Sequence, residues 1–176
     1  VLSHNLRQGR WILPTDDETG NMYDLIMDRL VKGGYERYEI SNFAKAGDKS
    51  RHNLVYWHYN PYLAFGAGAT RFDGRTRENN PAYLAAYERG EAPEIECLSP
   101  AVQREEMIFM NLRTVRGLSL LDYEARFGRS FAFDYGPQIE NLIHKGWAKW
   151  EDGHFCLTPL GMQYGNLAFE AFITTD

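Results

Sequence analysis

The sequence predicts an α/β segment followed by a mainly helical, winged-helix-like domain, with a boundary near residue 95. Two observations carry this reading. A capped amphipathic pattern runs from about residue 16 to 33 and passes through Gly33 and Gly34 into an alternating stretch, Tyr35 to Ile40, the helix-then-strand rhythm of an α/β layer. Beyond residue 98, apolar stripes at helical spacing, each preceded by serine or ended by glycine, lead into a hairpin signal and a last capped helix.

Composition bounds the function classes. A chain of 176 residues is long enough to bury roughly 70% of its unfolded surface. With 44% hydrophobic, 14% aromatic and 24% charged residues it is globular, not a disordered tail, a collagen-like repeat or an acidic solvating chain. Lys and Arg total 19 against 24 acids, and residues 100–176 carry 7 against 10, so neither half offers the basic face that nucleic acid requires. Cys97 and Cys156 are far apart in a Trp- and Tyr-rich chain, which points away from a disulfide framework and toward a reducing cytoplasm. No apolar run approaches the ~18 residues of a membrane span. Val1 to Arg10 show neither a leader pattern nor a methionine, so the chain is expected to begin inside a longer protein.

Thr15 and Glu18 form a capping box, with Asp16 and Asp17 over the positive helix end, and Met22, Leu25, Ile26 and Leu30 follow at helical spacing. Residues 41–62 lack a helical period and are expected to be a functional or packed loop. Tyr62 to Phe72 reads as extended and glycine-punctuated, implying close approach of its backbone to another group. Pro81 starts a short helix to Gly90, and residues 90–100 read as a linker. Ser99-Pro100 caps a helix to Gly117 with Ile108, Phe109, Leu112 and Val115 as its buried stripe. Ser119 caps a second, with Leu120, Tyr123 and Phe127 inward and Gly128 at its end; Tyr135, Ile139, Leu142 and Ile143 form a third, closed by Gly146. Glu151, Asp152 and Gly153 form a hairpin turn, and Thr158-Pro159 caps a final helix through Leu160, Tyr164, Leu167 and Phe169.

Among the histidines, His52 stands out because Arg51, Asn53 and Trp57 surround it in the segment without regular period. It reads as a metal ligand or an acid/base, or as a loop histidine bonded to backbone. Gly66, Ala67, Gly68 and Ala69 lack the lysine of a phosphate loop and the third glycine of a dinucleotide fingerprint. They would let a ligand lie on bare backbone, or let two layers of protein pack closely. The acids Asp16, Asp17, Glu18, Glu105, Glu106 and those of residues 91–96 read as caps or solvated faces, and His144 and His154 as structural or exposed. Two cysteines are too few for an iron–sulfur cluster.

Three ordered segments carry a family resemblance: Gly34 to Ala44 (GYERYEISNFA), Arg51 to Trp57 (RHNLVYW) and Phe65 to Ala69 (FGAGA). Together they resemble the C-terminal half of the HemW-like radical S-adenosylmethionine heme chaperones, a family related to oxygen-independent coproporphyrinogen III oxidase. The similarity continues through Gly117-Leu118-Ser119 and Phe127-Gly128 to Leu157 to Gly161. The resemblance implies a fold in which residues 1–95 are the last part of a partial β/α barrel and residues 96–176 the helical C-terminal domain. It implies S-adenosylmethionine and a 4Fe-4S cluster in the full-length parent, whose Cys-x3-Cys-x2-Cys loop is absent from this sequence, so that this chain alone is expected to be inactive as a radical enzyme.

By the same resemblance, His52, Asn53, Tyr56 and Trp57 are the heme-binding motif, with His52 as the iron ligand, and Gly66, Gly68, Ala69 and Thr70 line S-adenosylmethionine. Thr70 stands where many relatives have histidine. The leading expectation is a heme chaperone portion that passes heme to an acceptor protein, for which a membrane-associated one is among the options. The alternatives are a portion of a coproporphyrinogen III oxidase, against which the His52 motif argues, and a winged-helix interaction module, for which protein docking fits the acidic charge better than nucleic acid. A homodimer through an exposed sheet edge in residues 35–72 is a further expectation.

Overall fold

The computed structural model describes residues 2–173. Its elements in chain order are α1 (Leu2–Arg7), α2 (Asp16–Lys32), β1 (Glu36–Arg37), β2 (Phe43–Ala44), α3 (Arg51–Trp57), β3 (Thr70–Phe72), β4 (Thr76–Asn79), α4 (Leu84–Glu88), β5 (Glu94–Cys97), α5 (Pro100–Leu112), β6 (Leu118–Ser119), α6 (Leu120–Phe127), α7 (Phe131–His144), β7 (Ala148–Glu151), β8 (His154–Leu157), α8 (Pro159–Gln163) and α9 (Gly165–Glu170). The strands form small sheets in the orders β1-β2, β3-β4-β5 and β6-β8-β7, and all of these pairings are antiparallel. The architecture is α/β.

Most of the core lies in the C-terminal part, joined by Tyr59 and Phe72 from the earlier part. Ile108 and Leu112 of α5, Leu118, Tyr123 of α6, Phe131 of α7, Phe155 of β8 and Phe172 are at most 2% exposed and belong to one apolar cluster. Side-chain oxygens start these helices: Ser99 accepts the N–H of Val102, Ser119 that of Asp122, Ser130 that of Phe133 and Thr158 that of Gly161. Each such cap contributes about 1 kcal/mol. Asp152 and Gly153, at φ 45° and 74°, make the tight turn between β7 and β8. Gly117 is required twice over. Its φ is +76°, and a Cβ there would sit 2.2 Å from the carbonyl oxygen of Phe155 and 2.6 Å from Cα of Cys156.

Several boundaries differ from the sequence reading. The Ser99-capped helix stops at Leu112, leaving Val115 outside it and 42% exposed. The third helix begins at Phe131, because Ser130 caps it, and it kinks at Tyr135, just before Pro137. The last helix is two: Tyr164 leaves helical geometry and stacks its ring on Trp147, with centroids 4.9 Å apart. The expected linker contains β5, whose Glu96 lies opposite Arg77 of β4 and pairs with it at 3.4 Å. The alternating Tyr35 to Ile40 stretch yields only the two-residue strand β1, because beyond it the backbone pairs with the C-terminal part instead. Ile40 N–H donates to the Arg113 carbonyl, Val115 N–H to the Tyr38 carbonyl, and Glu39 bridges Thr114.

Helix α2 forms as expected, with both halves of the Thr15–Glu18 capping box in place. Its apolar stripe, however, stays in solvent: Met22, Leu25 and Ile26 are each about half exposed, and no residue of the helix is buried.

Candidate functional site

The segment expected to be a loop contains helix α3. Ser50 has extended backbone and its Oγ accepts the N–H of Asn53 at 3.3 Å, which starts the helix. At the other end Tyr59 takes φ 56°, and the N–H groups of Tyr59 and Asn60 donate to the carbonyls of Tyr56 and Val55. The helix has seven residues and none is fully buried, so no 3.6-residue stripe was there to read.

Positions four apart share a helix face, and this sorts the motif into two pairs. His52 is exposed, and Tyr56 Oη lies 3.4 Å from its Nε2, the rings meeting edge-on with centroids 5.0 Å apart. Asn53 and Trp57 occupy the neighbouring face. Trp57 turns toward the body of the protein, where the Arg113 guanidinium lies 4.5 Å from the centre of its ring. His52 is thus an exposed helix residue whose ring meets Tyr56.

An aromatic run leads from α3 to β3. Tyr56 packs on Tyr62 at 4.6 Å between centroids, Tyr62 on Phe72 at 5.9 Å, and Phe72 on Tyr59 at 4.8 Å. Tyr62 and Phe72 also exchange backbone hydrogen bonds of 2.8 and 3.0 Å. Burial pushes the phenol of Tyr62 up, and burial together with the Glu106 carboxylate does the same for Tyr59. Tyr59 therefore stays protonated and donates to Glu106 Oε2 at 2.9 Å, while Glu106 Oε1 pairs with Arg77 at 2.6 Å. Glu106, expected on a solvated face, is instead a half-buried tie that joins α5 to Arg77 of β4 and to Tyr59 just beyond α3.

The glycine segment is a turn leading into β3, with Gly66 at φ +103° and Gly68 at φ +71°. A Cβ added to Gly66 would meet nothing within 4 Å, so toward the described chain glycine supplies positive φ there and leaves its Cα side open. The turn is held by its neighbours. Gly66 N–H donates to Tyr87 Oη at 3.2 Å, Asn80 Nδ2 to the Gly66 carbonyl at 2.9 Å and Gly68 N–H to the Pro81 carbonyl at 2.9 Å. Asn80 N–H donates to the Ala69 carbonyl, and Thr70 Oγ1 to Asn79 Oδ1 at 2.6 Å. The motif helix and the glycine turn are joined through Tyr56, Tyr62 and Phe72.

Cys97 is exposed on β5 and Cys156 is buried in β8, both as free thiols. Among the described residues no three His, Cys, Asp or Glu side chains converge to hold a metal ion, so the residues present do not fit a 4Fe-4S cluster. No helix of the described residues is long and apolar enough to cross a membrane.

Residues 98–164 match the model of the HemN C-terminal domain. The whole chain aligns with the heme chaperone HemW of Lactococcus lactis at 36% identity, covering 48% of that protein. Against the heme chaperone HemW of Bacillus subtilis it is 35% identical over 98% of the chain and 47% of the relative. The chain belongs to the HemW/HemN-like family. It spans about half the length of the curated relatives it matches. The coproporphyrinogen III oxidase HemN from Escherichia coli, a radical SAM enzyme, superposes with a TM-score of 0.69 over 92% of this chain and 42% of its own, at 16% identity. That likeness is one of fold.

Missing from the sequence reading were Glu39, Arg113, Tyr59 and Tyr62. The ring-rich pattern around residues 56–62 was a signal for the tyrosines. Nothing local could have paired Glu39 with a partner 74 positions away.

Proposed function

We propose that this chain is the C-terminal portion of a HemW-type heme chaperone, carrying heme on the exposed face of α3 and passing it to an acceptor protein. The observation that carries this reading is the split of the motif. An imidazole and a phenol stand together on the exposed side of a capped helix, while Asn53 and Trp57 turn to the neighbouring face. His52 is the iron ligand in this reading, its Nε2 exchanging the 3.4 Å contact with Tyr56 Oη for the iron, and the rings of Tyr56 and Tyr62 supply flat apolar surface beside it. An exposed ligand suits a carrier, because the acceptor must reach the iron to exchange it.

In the longer parent, Gly66, Gly68, Ala69 and Thr70 approach S-adenosylmethionine through the open Cα side of Gly66, since the Thr70 hydroxyl and much of the turn's backbone are already bonded. Residues 96–176 form a winged-helix-like docking domain beside a barrel-derived part, residues 1–95, in a cytoplasmic protein. Seven basic against ten acidic residues in 100–176 favour protein docking over nucleic acid.

A heme titration tests the reading. Burying ~500 Å² of macrocycle at ~25 cal/mol/Å² gives on the order of 10 kcal/mol before association costs, so apolar contact outweighs one axial bond. His52→Ala is therefore expected to shift the Soret band clearly and to weaken binding by about tenfold, with heme still held by the apolar contacts. A spectrum identical to that of the unaltered chain removes His52 as ligand.

A further inference from the structure

We infer that Arg113 is a positioning residue for the motif helix: it clamps Trp57 from the C-terminal side and is itself aimed by the buried carboxylate of Glu39. The inference rests on α3 as the heme-carrying helix, and extends that site to a residue outside the motif.

Glu39 is 0% exposed. A carboxylate so placed is tolerated only when its oxygens are satisfied. Oε1 accepts the N–H of Ser41 at 2.7 Å and Nδ2 of Asn42 at 2.6 Å, and Oε2 faces Nη2 of Arg113 at 3.5 Å. The main chain fastens the same place, because the Arg113 carbonyl accepts the N–H of Ile40 at 2.9 Å. The guanidinium is thus held at both ends of its residue by the segment around Glu39.

Held there, it lies 4.5 Å from the Trp57 ring centre and 6.0 Å from that of Phe109, with only 23% of the side chain exposed. The Trp57 Nε1 and Arg113 Nε donors are buried and find no hydrogen-bond partner among the described residues. The cation on the ring face, and no hydrogen bond from the indole, therefore orients Trp57. A seven-residue helix has little stability of its own, so its orientation depends on the contacts its side chains make with the rest of the fold. Whatever fixes Trp57 fixes the direction in which His52 and Tyr56 point. Lysine would keep the charge and lose the flat stacking surface; methionine would keep length and lose the charge.

The test compares Arg113→Met, Arg113→Lys and His52→Ala in the full chain, with Leu142→Ala as a control that weakens the core at α7. Heme dissociation and the Trp57 emission, isolated by subtracting Trp57→Phe, are read well below the unfolding midpoint. Arg113→Met is expected to speed heme loss roughly five- to tenfold and shift Trp57 emission, with Arg113→Lys between it and the unaltered chain. Leu142→Ala should change neither. Unaltered heme loss in Arg113→Met, where His52→Ala shifts the Soret band, overturns the clamp and leaves the heme reading standing. Should His52→Ala leave the spectrum untouched, the heme reading fails, and Trp57 emission alone decides the clamp: a shift supports it, constancy overturns it. If Arg113→Met does not fold, Arg113→Lys and Glu39→Gln take its place with the same two readouts, and a change or its absence decides the clamp in the same way.

Discussion

Helices α2 and α5 both follow a capping residue and both carry an apolar stripe, yet α5 holds Met107, Ile108 and Leu112 at 4%, 0% and 0% exposure while Met22, Leu25 and Ile26 of α2 stay at 55%, 51% and 49%. A stripe records that a helix has an apolar side. Only the fold records whether the described chain covers it. In the C-terminal part α5 packs against β6, β8 and α9 around one cluster, so pattern and burial coincide. The earlier part adds Tyr59 and Phe72 to that cluster and is otherwise held by ties of another kind: single buried side chains, aromatic contacts and short backbone bridges.

The contrast can be broken from its strongest side first. Gly117→Ala places a Cβ inside the contact with Phe155 and Cys156 at a positive φ, and is expected to cost on the order of 4 kcal/mol or more, read as loss of cooperative unfolding or a steep fall in its midpoint. Leu112→Ala should follow, at about 2–5 kcal/mol in denaturant unfolding. The same truncation in α2, Leu25→Ala, is expected within about 0.5 kcal/mol of the parent. Equal losses for the two leucines would mean that α2 is covered in solution. The mildest probe is chemical: burial and the nearby Glu151 charge push the Cys156 thiol up, so a thiol reagent near neutral pH should label Cys97 promptly and Cys156 only on unfolding. Two prompt thiols would show that the β7–β8 hairpin opens in the native state.

Much of the C-terminal fold was legible because local chemistry and burial agree there. Ser99, Ser119 and Thr158 cap helices where their positions said they would, and Asp152-Gly153 turns the hairpin. Tyr164 broke its helix for a reason no local pattern contains, the stack on Trp147. In the candidate site the motif residues were visible as a group, but their division was not. It depends on Ser50 starting a helix, which sets His52 with Tyr56 and Asn53 with Trp57. Glu39 looked like one charge in an alternating run; its burial follows from a pairing with residues 113–115, its partner Arg113 lying 74 positions further along the chain.

Tyr59 adds a mechanical consequence. Its backbone, in a left-handed conformation uncommon for a ring-bearing residue, closes α3, and its phenol reaches Glu106 on α5 across 47 positions of sequence. The gap between those two helices is therefore spanned from one side by a rigid ring, with the Glu106 carboxylate as the adjustable end of the link. Phenylalanine there would keep the ring but unpin its tip, and any shorter residue would leave the gap unspanned.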